Sequence, residues 1–199
     1  MDSKHTLAAL FSMNLRGERA DAKAVAGRLG LRLEEAQEEL ESLRKRGLLS
    51  LKGGRAALTP KGRRAIKVVF IGGGFEVIHY GHLYTVSKAK SLGDVLVVAV
   101  ARDGTIRRRK KREPLIGEGD RVSLMSSLRQ VDAAILGVEG DIYVTLQKVK
   151  PDVVALGYDQ YHMEDEVKRE ARKRGMKLKV VRLDSPYPSI KTTRILKEL

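Results

Sequence analysis

The 199-residue sequence predicts an α/β fold, a parallel sheet covered by helices on both faces, placed behind a small helical unit. After Ile66, short Val-rich runs alternate with segments of helical periodicity. Runs such as Val95–Ala101 are apolar at every position, as strands buried on both faces require. Before Thr59 the pattern is different: three amphipathic helical segments, then a glycine-centred hairpin. The break at Thr59-Pro60-Lys61-Gly62 divides the chain into residues 1–65 and 66–199.

In the first part, Leu7, Ala8, Leu10, Phe11 and Leu15 give residues 4–15 an apolar face. Asp21 caps a second helix, Ala22–Leu29, which Gly30 ends. A third, from Leu33 to about Arg46, turns Leu33, Ala36, Leu40 and Leu43 inward. Leu48–Leu51 and Arg55–Leu58 then flank Lys52-Gly53-Gly54 as a hairpin. This succession resembles a winged helix-turn-helix, which implies DNA as a possible partner through residues 1–65. Arg44, Lys45, Arg46, Lys52, Arg55, Lys61, Arg63 and Arg64 are the cations available for it. The outward positions of the third helix carry Glu34, Glu35, Glu38, Glu39 and Glu41, which would repel phosphates. A packing or homodimer role is the preferred expectation.

In the second part, Val68–Ile71 forms the first strand and a helix runs from the His79 region through Leu92. After the second strand, Arg107–Arg112 reads as a mobile basic loop. Helices follow at Glu118–Gln130, Asp141–Lys148, Glu164–Arg174 and Thr192–Leu199, with strands at Ala133–Leu136, Val153–Leu156 and Lys177–Leu183. Ligands on such sheets sit at the carboxyl ends of the strands. Gly72-Gly73-Gly74, Arg102-Asp103 and Gly157-Tyr158-Asp159-Gln160 all fall at such ends.

The stretch Lys67–Tyr84, KVVFIGGGFEVIHYGHLY, carries the chemistry. A strand, a glycine turn and a helix start place free amides and the positive dipole end together, which suits an anion. His79 and His82, three apart, share one face, and Gly81 keeps that face open. Two imidazoles beside free amides can hold a phosphate and stabilise charge gathering on it. A zinc site is not expected, because the chain has no Cys and only His5 and His162 besides this pair. The three glycines also lack the third spacing of a dinucleotide fingerprint. A second phosphate cradle is read at Ser189-Ile190-Lys191-Thr192-Thr193-Arg194, where hydroxyls and amides open the last helix.

With these residues, the chain resembles the cytidylyltransferase-like nucleotidyltransferases over residues 67–199. Their pattern is Gly-Thr-Phe-Asp, two apolar residues, then HxGH. Here it reads Gly73-Gly74-Phe75-Glu76-Val77-Ile78-His79-Tyr80-Gly81-His82, with Gly74 for Thr and Glu76 for Asp. The resemblance implies a Rossmann-like parallel-sheet nucleotidyltransferase domain. It makes His79 and His82, with a lysine of the basic loop, Lys110 or Lys111, the catalytic groups. The nucleotide-binding set is then Gly73, Gly74, Phe75, Gly81, His82, Arg129 of the Arg-x-Val-Asp segment, Gly157, Asp159, Ser189, Thr192, Thr193 and Arg194. Glu76, Arg102, Asp103 and Tyr158 are the acceptor-contacting candidates. The segments Ala101–Thr105, Lys111–Ile116 and Ala155–Gln160 look like the archaeal FAD synthase branch. That branch implies ATP and FMN as substrates and Mg²⁺, or another divalent cation, as cofactor.

A formal charge of +14 fits an anionic ligand, and both parts share it: 14 Lys/Arg against 8 Asp/Glu in residues 1–66, and 25 against 17 thereafter. No apolar run approaches membrane-spanning length and no signal-peptide core opens the chain, so a cytoplasmic protein is expected. The absence of Cys excludes thiol catalysis and disulfides. Two rivals stay open. One is a CTP-dependent cytidylyltransferase for glycerol 3-phosphate or a similar small phosphate. The other is a DNA-binding regulator that senses a nucleotide or flavin.

Overall fold

The structure, a computed structural model, describes residues 2–160, 163–190 and 192–195. The chain divides into two compact units, Met1–Lys67 and Val68–Leu199. Lys191, the side chain of Thr193 and the extension of the last helix to Leu199 lie outside the described residues.

The first unit runs α1 (Ser3–Arg16), α2 (Ala22–Leu29), α3 (Leu33–Lys45), β1 (Leu49–Lys52), β2 (Arg55–Leu58) and α4 (Pro60–Arg64). Asp21 caps α2 by accepting from the Ala24 amide at 2.9 Å. Leu7, Leu10, Val25, Ala36, Leu40, Leu43 and Leu49 are buried and form its interior. The stretch expected to be a linker is partly helical. Thr59 accepts from the Gly62 amide, and Pro60 stands at the first helical position, where it loses no hydrogen bond.

The second unit runs β3 (Val68–Gly73), α5 (Tyr80–Lys90), β4 (Val95–Val100), α6 (Asp103–Lys110), α7 (Glu118–Ser126), β5 (Ala133–Leu136), α8 (Ile142–Val149), β6 (Val153–Leu156), α9 (Glu164–Lys173), β7 (Lys179–Arg182) and α10 (Thr192–Ile195). Its five strands lie in the order β5-β4-β3-β6-β7, every neighbouring pair parallel. From β3 the chain steps outward through β4 to β5, then returns to the other side of β3 for β6 and β7. The order therefore reverses beside β3, where an open parallel sheet presents its ligand crevice. Val86 and Ala89 of α5 and Met125 of α7 pack with Val69, Ile71, Leu96 and Val98 in the core on one face. The reversal and the right-handed crossover rule put α8 and α9 on the other.

The basic loop is largely helical instead. Asp103 opens α6, Ile106 is buried beneath it, and Lys111 closes it with a left-handed backbone (φ 54°). Six cations in a row masked the single apolar anchor that fixes this helix. Among the described residues no helix is long and apolar enough to cross a membrane.

Candidate functional site

β3 delivers the chain to the glycine turn at the carboxyl end of the central strand. Phe75 follows with φ 52°, a left-handed backbone uncommon for a bulky side chain. Its ring folds back so closely that a Cβ at Gly73 would meet it at 2.8 Å. The same ring lies 5.4 Å from that of His82. The turn thus holds a strained residue in place by packing it between a glycine and an imidazole.

His79 is the N-cap of α5 in extended backbone (φ −136°, ψ 173°), so it precedes the first helical turn on which it was expected. The pair still converges: the two ring centroids are 3.9 Å apart, with the planes 33° from parallel. The Nδ1 atoms of both rings are buried without a hydrogen-bond partner. Burial holds the His79 pKa below its ordinary value against the opposing pull of Asp159. Burial, then the neighbouring His79, lowers His82 to about 4, again opposed by Asp159. Both imidazoles are therefore neutral at pH 7. Gly81 permits a close approach, because a Cβ there would lie 3.2 Å from the His79 ring and 3.6 Å from the Ile190 carbonyl.

Ile190 belongs to the loop that brings the C-terminal cradle to the histidines. The Tyr187 ring stands edge-on to Tyr80 at 4.8 Å and near Tyr84 at 6.0 Å, both on α5. The Tyr84 hydroxyl reaches Asp184, and Tyr158 donates to the Pro188 carbonyl at 2.9 Å. Ser189 is exposed, and Thr192 opens α10 with its hydroxyl 3.5 Å from the Val77 carbonyl. Arg194 is exposed two residues further along the chain. Two cradles that are more than a hundred residues apart in sequence are thus brought to one another.

On the other flank, Glu76 is fully buried, and its carboxylate accepts from Lys110 at 2.6 Å, Arg112 at 2.7 and 2.9 Å, and the Leu115 amide at 3.2 Å. Burial alone would raise its pKa. The hydrogen bonds from Arg112, Lys110 and Leu115 outweigh that and bring it down to about 2. This arrangement separates the two candidate lysines. The Lys110 ammonium lies 3.6 Å from where a side chain on Gly74 would begin, while Lys111 is exposed and caps α6.

Several expected ligand contacts are engaged within the protein. Arg102 binds Glu118 at 2.7 Å and the Gly137 carbonyl, and Asp103 binds Arg121 at 2.6 Å. Gly157 sits in a turn closed by Gln160, whose amide donates to the Gly72 carbonyl at 2.6 Å. Arg129 is not brought to the site. It is exposed just ahead of Asp132, whose carboxylate accepts from the Leu96 amide near the amino end of β4, opposite the glycine turn. Arg121, by contrast, had drawn no role. It is fully buried and donates to the carbonyls of Gly74 and Ile116 as well as to Asp103.

A cleft of about 680 Å³ opens over the carboxyl ends of β3, β4, β5 and β6. Gly74, Arg102, Lys110, Val138, Tyr143 and Asp159 are among its walls. Among the described residues no group of three His, Asp or Glu side chains is placed to hold a metal ion.

Residues 70–198 match the Cytidylyltransferase-like family. The chain is 48% identical over 111 residues to an FAD synthase of Aciduliprofundum boonei, covering 56% of this chain and 74% of that protein. It is 46% identical over 134 residues to one of Methanothermus fervidus, covering 64% and 90%. Among solved structures, a Thermoplasma volcanium protein described as a lipopolysaccharide core biosynthesis protein is 42% identical, with a TM-score of 0.59 over 60% of this chain and 98% of that one. The glycine turn, the paired histidines and the five-stranded parallel sheet thus sit within a matched segment covering most of the second unit, and the chain belongs to the cytidylyltransferase-like family.

Proposed function

We infer that this chain is an FAD synthase, transferring AMP from ATP to FMN. The observation that carries this is 46% identity to an archaeal FAD synthase across 90% of that protein's length. An FMN phosphate oxygen attacks the α-phosphorus of ATP, the bond from that phosphorus to the bridging oxygen breaks, and pyrophosphate leaves.

The neutral imidazoles of His79 and His82 each carry one N–H to donate to the α-phosphoryl oxygens as charge builds there. Lys110, Thr192, Thr193 and Arg194 would receive the departing pyrophosphate. The cleft has the size of a small-molecule pocket, and its apolar walls suit the flavin ring of the acceptor. Among the described residues no side-chain cluster is placed to hold a metal, so Mg²⁺ would arrive on the triphosphate and supply charge neutralisation there.

Residues 1–65 we read as a winged helix-turn-helix with a protein-contact role, such as a homodimer. Glu34 and Glu38 are exposed on α3, facing away from the buried Ala36 and Leu40. Retardation of duplex DNA by the full chain, falling steeply with salt, is the outcome against that role.

The reaction is tested by pyrophosphate release with Mg²⁺, crossing ATP and CTP against FMN and glycerol 3-phosphate. Turnover of ATP with FMN is expected. Turnover of CTP with glycerol 3-phosphate alone would replace the reading with a lipid-precursor cytidylyltransferase.

A further inference from the structure

The buried carboxylate of Glu76 is held by two cations in unequal ways. Arg112 grips both oxygens with two nitrogens of its fork, at 2.7 and 2.9 Å, and its Nη1 also donates to the Glu113 carbonyl at 2.8 Å. Lys110 makes one bond to one oxygen from a flexible stem; both cationic side chains are about a third exposed, so the difference lies in the number of bonds. The Lys110 ammonium sits over Gly74 at the edge of the cleft, 3.6 Å from where a Cβ at 74 would lie, within contact distance of the turn. Two cations on one carboxylate leave one positive charge in excess. If Lys110 departs, Arg112 and the Leu115 amide still satisfy Glu76, so the carboxylate is not stranded.

We propose that Glu76 is a positioning residue that parks Lys110 above the glycine turn, and that Lys110 exchanges from Glu76 to a phosphate oxygen of the bound nucleoside triphosphate. Arg112 is the fixed half of the arrangement and Lys110 the mobile half. This accounts for a feature of the turn: Glu76 carries an arm long enough to reach the 110–115 segment. The proposal rests on the reading that a triphosphate binds at this turn.

The parking carboxylate competes with phosphate for Lys110, so its loss has an unusual signature. Glu76→Gln should lower kcat by about tenfold while leaving KM for ATP no higher than in the wild type. Lys110→Met should lower kcat and raise KM together. In the Lys110→Met background, adding Glu76→Gln should change kcat by less than about twofold, because the two act as one unit. An equal loss of kcat from Glu76→Gln in both backgrounds, or a raised KM for ATP in the single variant, would overturn the proposal. Where Glu76→Gln does not fold, Glu76→Asp keeps the charge on a shorter arm and is held to the same cycle. Calorimetric binding of a non-hydrolysable ATP analogue, with no acceptor present, separates this proposal from the choice of acceptor. Glu76→Gln should bind the analogue at least as tightly as the wild type does, and weaker binding counts against parking even if FMN proves not to be the acceptor.

Discussion

The two flanks of the glycine turn handle buried polar groups in opposite ways. On one flank, the His79 and His82 rings lie 3.9 Å apart with both Nδ1 atoms buried and unpartnered, and burial keeps both rings neutral. On the other, Glu76 and Arg121 are buried ions with their bonding filled: four hydrogen bonds to Glu76, three from Arg121. Buried polar atoms are rarely left unpaired in a native fold, and unpaired ones need a reason. On the proposed reading the unpaired imidazoles are kept for the α-phosphoryl group, while the paired flank fixes the shape of the turn and offers the substrate only Lys110. The difference predicts which side chains carry stability and which carry rate.

The largest effect should come from the paired flank. Arg121→Met would strand the Gly74 and Ile116 carbonyls and leave Asp103 without its guanidinium partner. Breaking a buried pair of this kind costs about 3–5 kcal/mol, a fall in Tm on the order of 10 °C for a chain of this size. Thermal unfolding followed by circular dichroism measures it. A Tm within about 2 °C of the wild type would show that the two flanks do not differ as claimed.

The unpaired flank should behave in reverse. His82→Gln or His79→Gln removes a donor to the transition state but breaks no hydrogen bond of the folded chain at Nδ1. Loss of one such donor typically lowers kcat by about 10²–10³-fold. Tm should stay within about 4 °C, because at most the contact of His82 with the Val77 backbone is disturbed. A variant with near-normal kcat would sink the assignment of the imidazoles. A large fall in Tm with modest loss of rate would make them structural.

This contrast was only half visible in the amino-acid order. The strand, the glycine turn and HxGH were legible because each is local: a β-branched run, a φ-permissive triplet, two histidines three apart. The β/α alternation after Ile66 was legible for the same reason, since periodicity and glycine breaks are short-range signals. The paired flank was hidden because its bonds span long separations. Arg121 reaches Gly74 across 47 residues, and Gln160 reaches Gly72 across 88. Nothing in the string RRRKKR separates Lys110 from Lys111; the end of α6 does, by aiming its last residue at Glu76 and leaving the next as a left-handed cap. Arg129 shows the opposite failure. Its segment carries the expected residues, but the helix-to-strand turn that holds it is at the wrong end of the sheet.

Acid sensitivity sharpens the comparison by giving each flank its own pH window. His82 titrates at about 4 when folded, against 6.5 for an unperturbed imidazole. The unfolded chain therefore takes up a proton first as the pH falls, and stability that is complete above pH 6.5 is lost progressively toward pH 4. Glu76 titrates at about 2 when folded, against 4.5 ordinarily, so its contribution is complete above pH 4.5 and is lost between there and pH 2. Between pH 7 and pH 5 only the histidine limb should act, lowering unfolding free energy by about 2 kcal/mol. Denaturant unfolding at pH 7 and pH 5 reads this directly. In His82→Gln that loss should shrink to the part His79 supplies, while the steeper loss below pH 4.5 persists. If His82→Gln instead loses as much stability between pH 7 and pH 5 as the wild type does, His82 is already solvated or paired in the free enzyme, and the flank reserved for substrate is not dry.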